Sequence, residues 1–206
     1  MTDRVTRWWM VRHAPAINPG GLIYGQGEIE VDCSDRTALE TLARLLPPDP
    51  VRMVTPLART RTTAEALWGI QDCAVEPALL EQSFGDWQGL SHDALAALGD
   101  DRVSAFWRAP ATATPPGGES FADVVARVAS ALERLSAEFR GRDIVAVCHG
   151  GSIRAALAVA LGLHPAQALA FQIDPLSLTR LDHIPLPDEP AVWRIVTVNR
   201  ASYQQH

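Results

Sequence analysis

The chain has 206 residues, 47% of them apolar and 20% charged, which is enough for one domain with a full core and short for a second. Its 18 basic residues, all arginine, stand against 24 acidic ones, and the net charge of −6 argues against nucleic-acid or anionic-membrane partners, whose binding rests on net basic surfaces. Cys33, Cys73 and Cys148 form an odd set without a C-x-x-C pair, which fits a reducing compartment better than a disulfide framework.

Met1-Thr2-Asp3-Arg4 leads straight into a strand-like run, Arg7 to Val11, with no apolar signal stretch, and no apolar run suffices for a bilayer. A cytoplasmic protein is expected. Next come a Gly/Pro-rich loop, Asn18 to Gly27, and a helical stretch from about Arg36 to Leu46 that Pro47-Pro48 stops. Val51 to Val54 reads as a short strand, and Thr55-Pro56 as the opening of a helix to about Trp68, with proline in its first turn. Glu81 to Gly89 is a loop. The stretch Asp100 to Gly118, with Pro110, Pro115 and Pro116 among small residues, breaks the alternation and predicts a cap inserted over the site, one that selects substrates.

After Ser120, Phe121, Val124, Val125, Val128, Leu132, Leu135 and Phe139 recur at helical spacing, which predicts a long core-packing helix. Asp143 to Val147 is a second apolar strand. Two late strands, Ser177 to Ile184 and Val192 to Val198, flank Pro185 to Pro190, a hairpin or loop at the sheet edge. Strands alternating with helices predict an α/β three-layer sandwich over residues 1–206: a mostly parallel central sheet with helices on both faces.

Three strand ends carry the chemistry: Arg12-His13, Thr55 to Arg59, and Cys148-His149-Gly150-Gly151. Ligands of open α/β sheets bind at the carboxyl ends of the strands, and a glycine pair entering a helix, here Gly150-Gly151, offers backbone N–H groups to an anion. A neutral imidazole is a good nucleophile toward phosphorus, so either His13 or His149 is open to phosphorylation. The guanidinium groups of Arg12 and Arg59 suit phosphate oxygens. Glu28, Glu81 and Glu119 compete for the role of acid.

In order, Val11-Arg12-His13, Thr55 to Thr60, Glu81 to Gly89, Pro116 to Ser120 and Val147 to Arg154 make the chain similar to the histidine phosphatases, the branch that also holds the cofactor-dependent phosphoglycerate mutases. The resemblance implies a phosphoglycerate mutase-like fold. It makes His13 the nucleophile, has Arg12, Arg59 and His149 hold the phosphate, and puts Glu81 where the family keeps its proton donor. Glu81 then protonates the leaving oxygen and, as carboxylate, later deprotonates the attacking water. Its neighbours Phe84 and Trp87 favour a protonated Glu81 in the substrate complex, against the pull of the arginines.

The chain departs from the family's usual R-H-G-E-T with Arg12-His13-Ala14-Pro15-Ala16. The family's loop asparagine is matched only by Asn18, one position early, and Gln26 is a similar candidate for touching phosphate or substrate. Gln88 replaces a usual glutamate and Cys148 a usual serine. Read by themselves, Glu119 before Ser120 suggests helix capping, Cys148 packing, and Trp87 and Trp107 the substrate entrance. His92, His164, His183 and His206 lack ligand spacing, so neither a metal nor a cofactor is expected.

A short, lysine-free chain with only Arg102 and Arg108 in its cap segment points to hydrolysis of a small phosphorylated metabolite, as in the small bacterial phosphatases acting on sugar phosphates, nucleotides or ribazole phosphate. The alternatives are a phosphoglycerate-type mutase and a catalytically silent protein that binds phosphorylated ligands. A metal-dependent hydrolase is a third, disfavoured by the absent ligand spacing, and a homodimer stays open.

Overall fold

The computed structural model describes residues 5–69 and 72–202. The reading of Met1 to Arg4 and of His206 lies outside them. A six-stranded sheet is built from β1 (Thr6–Arg12), β2 (Val51–Val54), β3 (Ala74–Val75), β4 (Asp143–Cys148), β5 (Leu178–Leu186) and β6 (Glu189–Arg200), in the order β3-β2-β4-β1-β5-β6. The first four lie parallel, and β5 and β6 add an antiparallel hairpin beside β1. This is the predicted mixed α/β layout.

Alternation along the strands makes three layers. Trp8, Met10, Ile144, Ala146 and Cys148 turn to one face, under α5 (Phe121–Glu138) and α6 (Gly150–Leu161). Val11, Val145 and Val147 turn to the other, under α1 (Arg36–Leu45) and α2 (Ala58–Trp68). Each fully buried aliphatic or aromatic side chain contributes about 1.5–3 kcal/mol. The predicted face of α5 is buried at Phe121, Val124, Val128, Leu132 and Leu135, with Val125 and Phe139 partly covered.

Two boundaries differ from the expectation. The helix expected to open at Thr55-Pro56 starts at Ala58 after an extended Leu57, because Thr60 Oγ1 captures Thr55: it accepts from Thr55 N at 3.2 Å and donates to the Thr55 carbonyl at 3.1 Å. The late strands are longer than expected and close over Pro187-Asp188, with Asp188 at φ 59; Pro190 is tolerated because β6 is an edge strand.

The segment Asp100 to Gly118 contains a helix, α4 (Asp101–Arg108), preceded by α3 (His92–Ala97). Asp100 caps α4 by accepting from Arg102 N. Phe106 packs with Ile23, Trp87 and Leu95 in a small satellite core, which ties this helix to residues well before position 100. A short α7 (Pro165–Ala168) follows α6, and among the described residues no helix is long and apolar enough to cross a membrane.

Candidate active site

The site forms where β1 and β4 end side by side. In the register Arg12 pairs with Cys148, and His13 N donates to the Cys148 carbonyl at 3.0 Å, so the next residue of each strand presents an imidazole. The rings of His13 and His149 meet edge-on with centroids 5.3 Å apart. Strand β2 ends level with them, and Thr55 Oγ1 lies 2.9 Å from His149 Nε2.

His13 is 1% exposed, and burial pulls its pKa from the ordinary 6.5 to about 3, with the nearby Arg59 and Arg12 acting in the same direction. Its Nδ1 is 2.7 Å from the Ala14 carbonyl, which only accepts, so Nδ1 carries the proton and Nε2 keeps a free lone pair. That is the tautomer a nitrogen nucleophile needs. His149 is also held neutral, first by burial and then by His13 and Arg59. Its Nδ1 accepts from Arg59 Nε at 3.2 Å, so its Nε2–H donates to Thr55 Oγ1. Both ring nitrogens are therefore occupied by protein, and a direct bond from His149 to phosphate requires one partner to give way.

Arg59 sits in the first turn of α2 and is 1% exposed. Nη1 donates to the Gly27 carbonyl at 2.8 Å, Nη2 to that of Gly25, and the guanidinium lies over the Tyr24 ring at 5.1 Å. Burial lowers its pKa, opposed by Glu81 and Tyr24. Arg12 is tethered by Nη1 to the Ile173 carbonyl, while its Nε is a buried donor without a protein partner. A buried unpaired donor costs roughly 1–3 kcal/mol, a cost that an anion at this point offsets.

The Glu81 carboxylate accepts from Gln82 N at 2.9 Å and, across the site, from Gly151 N at 3.2 Å in the first turn of α6, where the helix dipole favours negative charge. A Cβ on Gly151 would overlap this carboxylate, so the absent side chain makes room for Glu81, whereas one on Gly150 would meet Arg12 Nε at 3.5 Å, an ordinary contact. Beside Glu81 opens a cavity of about 320 Å³ whose walls include Tyr24, Phe84, Phe106, Trp107, Phe121 and Arg154. Arg154 is fixed by Nε to the Phe171 carbonyl at 2.8 Å.

The structure thus brings together His13, His149, Arg12, Arg59, Glu81 and Gly150. It places the other expected residues elsewhere. Asn18 closes its own loop, accepting from Leu22 N and donating to the Leu22 carbonyl, both at 2.9 Å. Gln26 turns its Nε2 to the carbonyl of Glu81 at 2.9 Å and to Glu119 Oε1 at 3.2 Å. The carboxylate of Glu28 accepts from Ala58 N at the start of α2.

Glu119 is not the cap of α5: Ser120 and Asp123 form a reciprocal capping box, and Glu119 pairs with Arg127 instead. Trp87, expected at the entrance, is 2% exposed within the satellite core, whereas Trp107 does line the cavity. Cys148 is buried and its thiol pushed up to about 12, consistent with packing. Sequence reasoning assigned no role to Thr55, Tyr24, Arg127 or Arg154. Two of them carried a signal: Thr55 opens the strand end that leads to Arg59, and Arg154 stands one helical turn after Gly150.

These features make a candidate anion site floored by two neutral histidines and flanked by two arginines and a carboxylate. The chain belongs to the histidine phosphatase superfamily (branch 1), which residues 8–199 match. It is 35% identical over 178 residues to the glucosyl-3-phosphoglycerate phosphatase of Mycolicibacterium vanbaalenii, covering 78% of this chain and 76% of that one. The native structure of a mycobacterial glucosyl-3-phosphoglycerate phosphatase superposes with a TM-score of 0.81 at 32% identity, over 96% of this chain and 100% of that one. A putative alpha-ribazole-5'-P phosphatase of Escherichia coli, 23% identical, shares the fold with a TM-score of 0.80, over 97% of this chain and 99% of that one. Other mycobacterial relatives share 33% identity over 130 residues, and the match spans only 34% of their length.

Proposed function

We propose that this protein is a phosphatase that cleaves phosphomonoesters of small metabolites through a phosphohistidine on His13. The observation that carries this reading is the buried, neutral His13 imidazole with its proton pinned on Nδ1, set between Arg12 and Arg59. His13 Nε2 attacks phosphorus, the ester P–O bond breaks, and the leaving oxygen takes a proton from Glu81. Water then attacks the phosphohistidine, giving its proton to the Glu81 carboxylate; the P–N bond breaks and His13 returns to its starting form. Arg12, Arg59 and the Gly150 N–H at the start of α6 stabilise charge on the transferred oxygens, while the Gly151 N–H holds Glu81. His149 orients Arg59 and packs against His13.

The leaving group occupies the aromatic cavity beside Glu81, under the segment 100–118 acting as cap. Its volume and largely apolar wall suit a compact metabolite with a flat or apolar portion, with Arg154 the one arginine on the wall among the described residues. Three free cysteines support a reducing, cytoplasmic setting. The test is phosphate release from an aryl phosphate in the presence of a chelator, wild type against His13→Ala. Turnover in wild type alone, with phosphohistidine trapped at alkaline pH, is expected; equal rates in the two proteins would remove His13 from the mechanism. The compounds named for the relatives, glucosyl-3-phosphoglycerate and alpha-ribazole 5'-phosphate, head the substrate panel.

A further inference from the structure

Glu81 lies on the loop between β3 and α3, and a loop carboxylate must be held in place to deliver a proton to one oxygen. Its backbone carbonyl accepts two hydrogen bonds, from Gln26 Nε2 at 2.9 Å and from Arg127 Nη2 at 3.0 Å. Both donors converge on Glu119: its Oε1 accepts from Arg127 Nη2 at 2.9 Å and from Gln26 Nε2 at 3.2 Å, and its Oε2 accepts from Arg127 Nε at 3.0 Å. Glu119 also reaches the residues next in line, accepting from Ser83 N through Oε1 and donating its own N–H to the Ser83 carbonyl. Arg127 Nη1 fixes the other side of the loop at the Ala78 carbonyl, 2.7 Å away. The Arg127 and Glu119 side chains are only 23% and 20% exposed, so this two-point pair is shielded from water and anchored on α5, the longest helix.

From this arrangement we infer that Glu119, Arg127 and Gln26 are positioning residues that set where the Glu81 carboxylate stands, acting through its backbone. The inference rests on the proton-donor role proposed for Glu81. Gln82 N and Gly151 N orient the carboxylate, and the Arg127–Glu119 pair fixes the chain from which it extends. Without these two side chains, the segment from Ala78 to Ser83 loses three of its ties to the body of the protein, at the Ala78 carbonyl, the Glu81 carbonyl and Ser83 N, while His13, Arg12 and Arg59 keep theirs.

The experiment measures kcat/KM, which reports transfer to His13, for aryl and alkyl phosphates of rising leaving-group basicity, in wild type, Glu81→Gln, Arg127→Met and Arg127→Lys. A misplaced acid costs little when the leaving group is an acidic phenol and most when it is an alkoxide. Arg127→Met is expected to stay within about threefold of wild type on the most acidic phenol and to fall roughly 10- to 100-fold on alkyl phosphates, with Arg127→Lys between. Glu81→Gln should show the same trend more steeply.

A uniform loss in Arg127→Met, or none, beside a leaving-group-dependent loss in Glu81→Gln would overturn the positioning role and leave the proton donor standing. A uniform loss in Glu81→Gln itself would remove the donor and the clamp with it. Where Arg127→Met does not fold, Gln26→Ala removes the other donor to the same carbonyl from a surface loop. It must reproduce the trend, and wild-type rates across the series would overturn the inference.

Discussion

Gly151 has no side chain because Glu81 occupies the space a Cβ would take: an atom added there would overlap Oε1 of the carboxylate, whose Oε2 accepts the Gly151 N–H. The second glycine of Cys148-His149-Gly150-Gly151 is thus fixed by the acid on another loop rather than by its own backbone.

Gly151→Ala therefore separates function from folding. Alanine suits a helix better than glycine by up to about 1 kcal/mol, so the melting temperature should hold or rise slightly. The displaced carboxylate should lower kcat/KM on alkyl phosphates by about two orders of magnitude. Thermal melts beside rate measurements check this, and wild-type rates would show that Glu81 works from another position.

Arg59→Lys tests the second buried link. Lysine cannot serve His149, Gly27 and Gly25 at once, whereas the guanidinium reaches all three. Leaving the His149 Nδ1 acceptor and two carbonyls short of donors should cost about 1–3 kcal/mol in denaturant titrations. Activity should fall at least about 100-fold if the same group stabilises the transferred phosphoryl as proposed. Full activity in the lysine variant would mean that charge alone suffices.

Much of this was legible in the sequence because strand ends and helix starts are local signals. Arg12-His13 and His149-Gly150 follow apolar runs, so their convergence required only that the two strands be neighbours in a parallel sheet. Asn18 and Gln26 were placed by loop position, and a loop position does not say which way an amide points: one closes its own turn, the other supports Glu81. Glu119 illustrates a related limit. Its place before a helix suggested capping, but Ser120 and Asp123 satisfy the helix end between them, which frees Glu119 for a partner eight residues on. Trp87 and Trp107 were indistinguishable by type, and only the packing of the satellite core separates them.

Trp107→Ala probes the cavity proposed to take the leaving group. The residue is 49% exposed, so its loss should change stability by no more than about 0.5 kcal/mol. KM for an aryl phosphate should rise about tenfold as an aromatic contact is lost, with little change for a small alkyl phosphate that does not reach it. A matching rise for both would indicate that Trp107 shapes the cap rather than touching the substrate.

The two buried imidazoles make stability depend on acid. In the unfolded chain a histidine takes up its proton near pH 6.5, whereas in the folded protein His13 stays neutral down to about 3 and His149 is also held well below the ordinary value. Between 6.5 and about 3 the unfolded state binds more protons at His13, so unfolding free energy falls as pH falls, by about 1 kcal/mol per pH unit for His13, and His149 acts in the same direction. Above pH 6.5 neither contributes a slope. His13→Gln should remove one share, giving a shallower loss of stability between pH 6 and about 4 in urea titrations at stepped pH. The same lowering keeps the nucleophile unprotonated in mildly acidic solution. The acid limb of kcat/KM in wild type should therefore lie well below 6.5, and a limb centred near 6.5 would show that His13 titrates as an ordinary exposed imidazole.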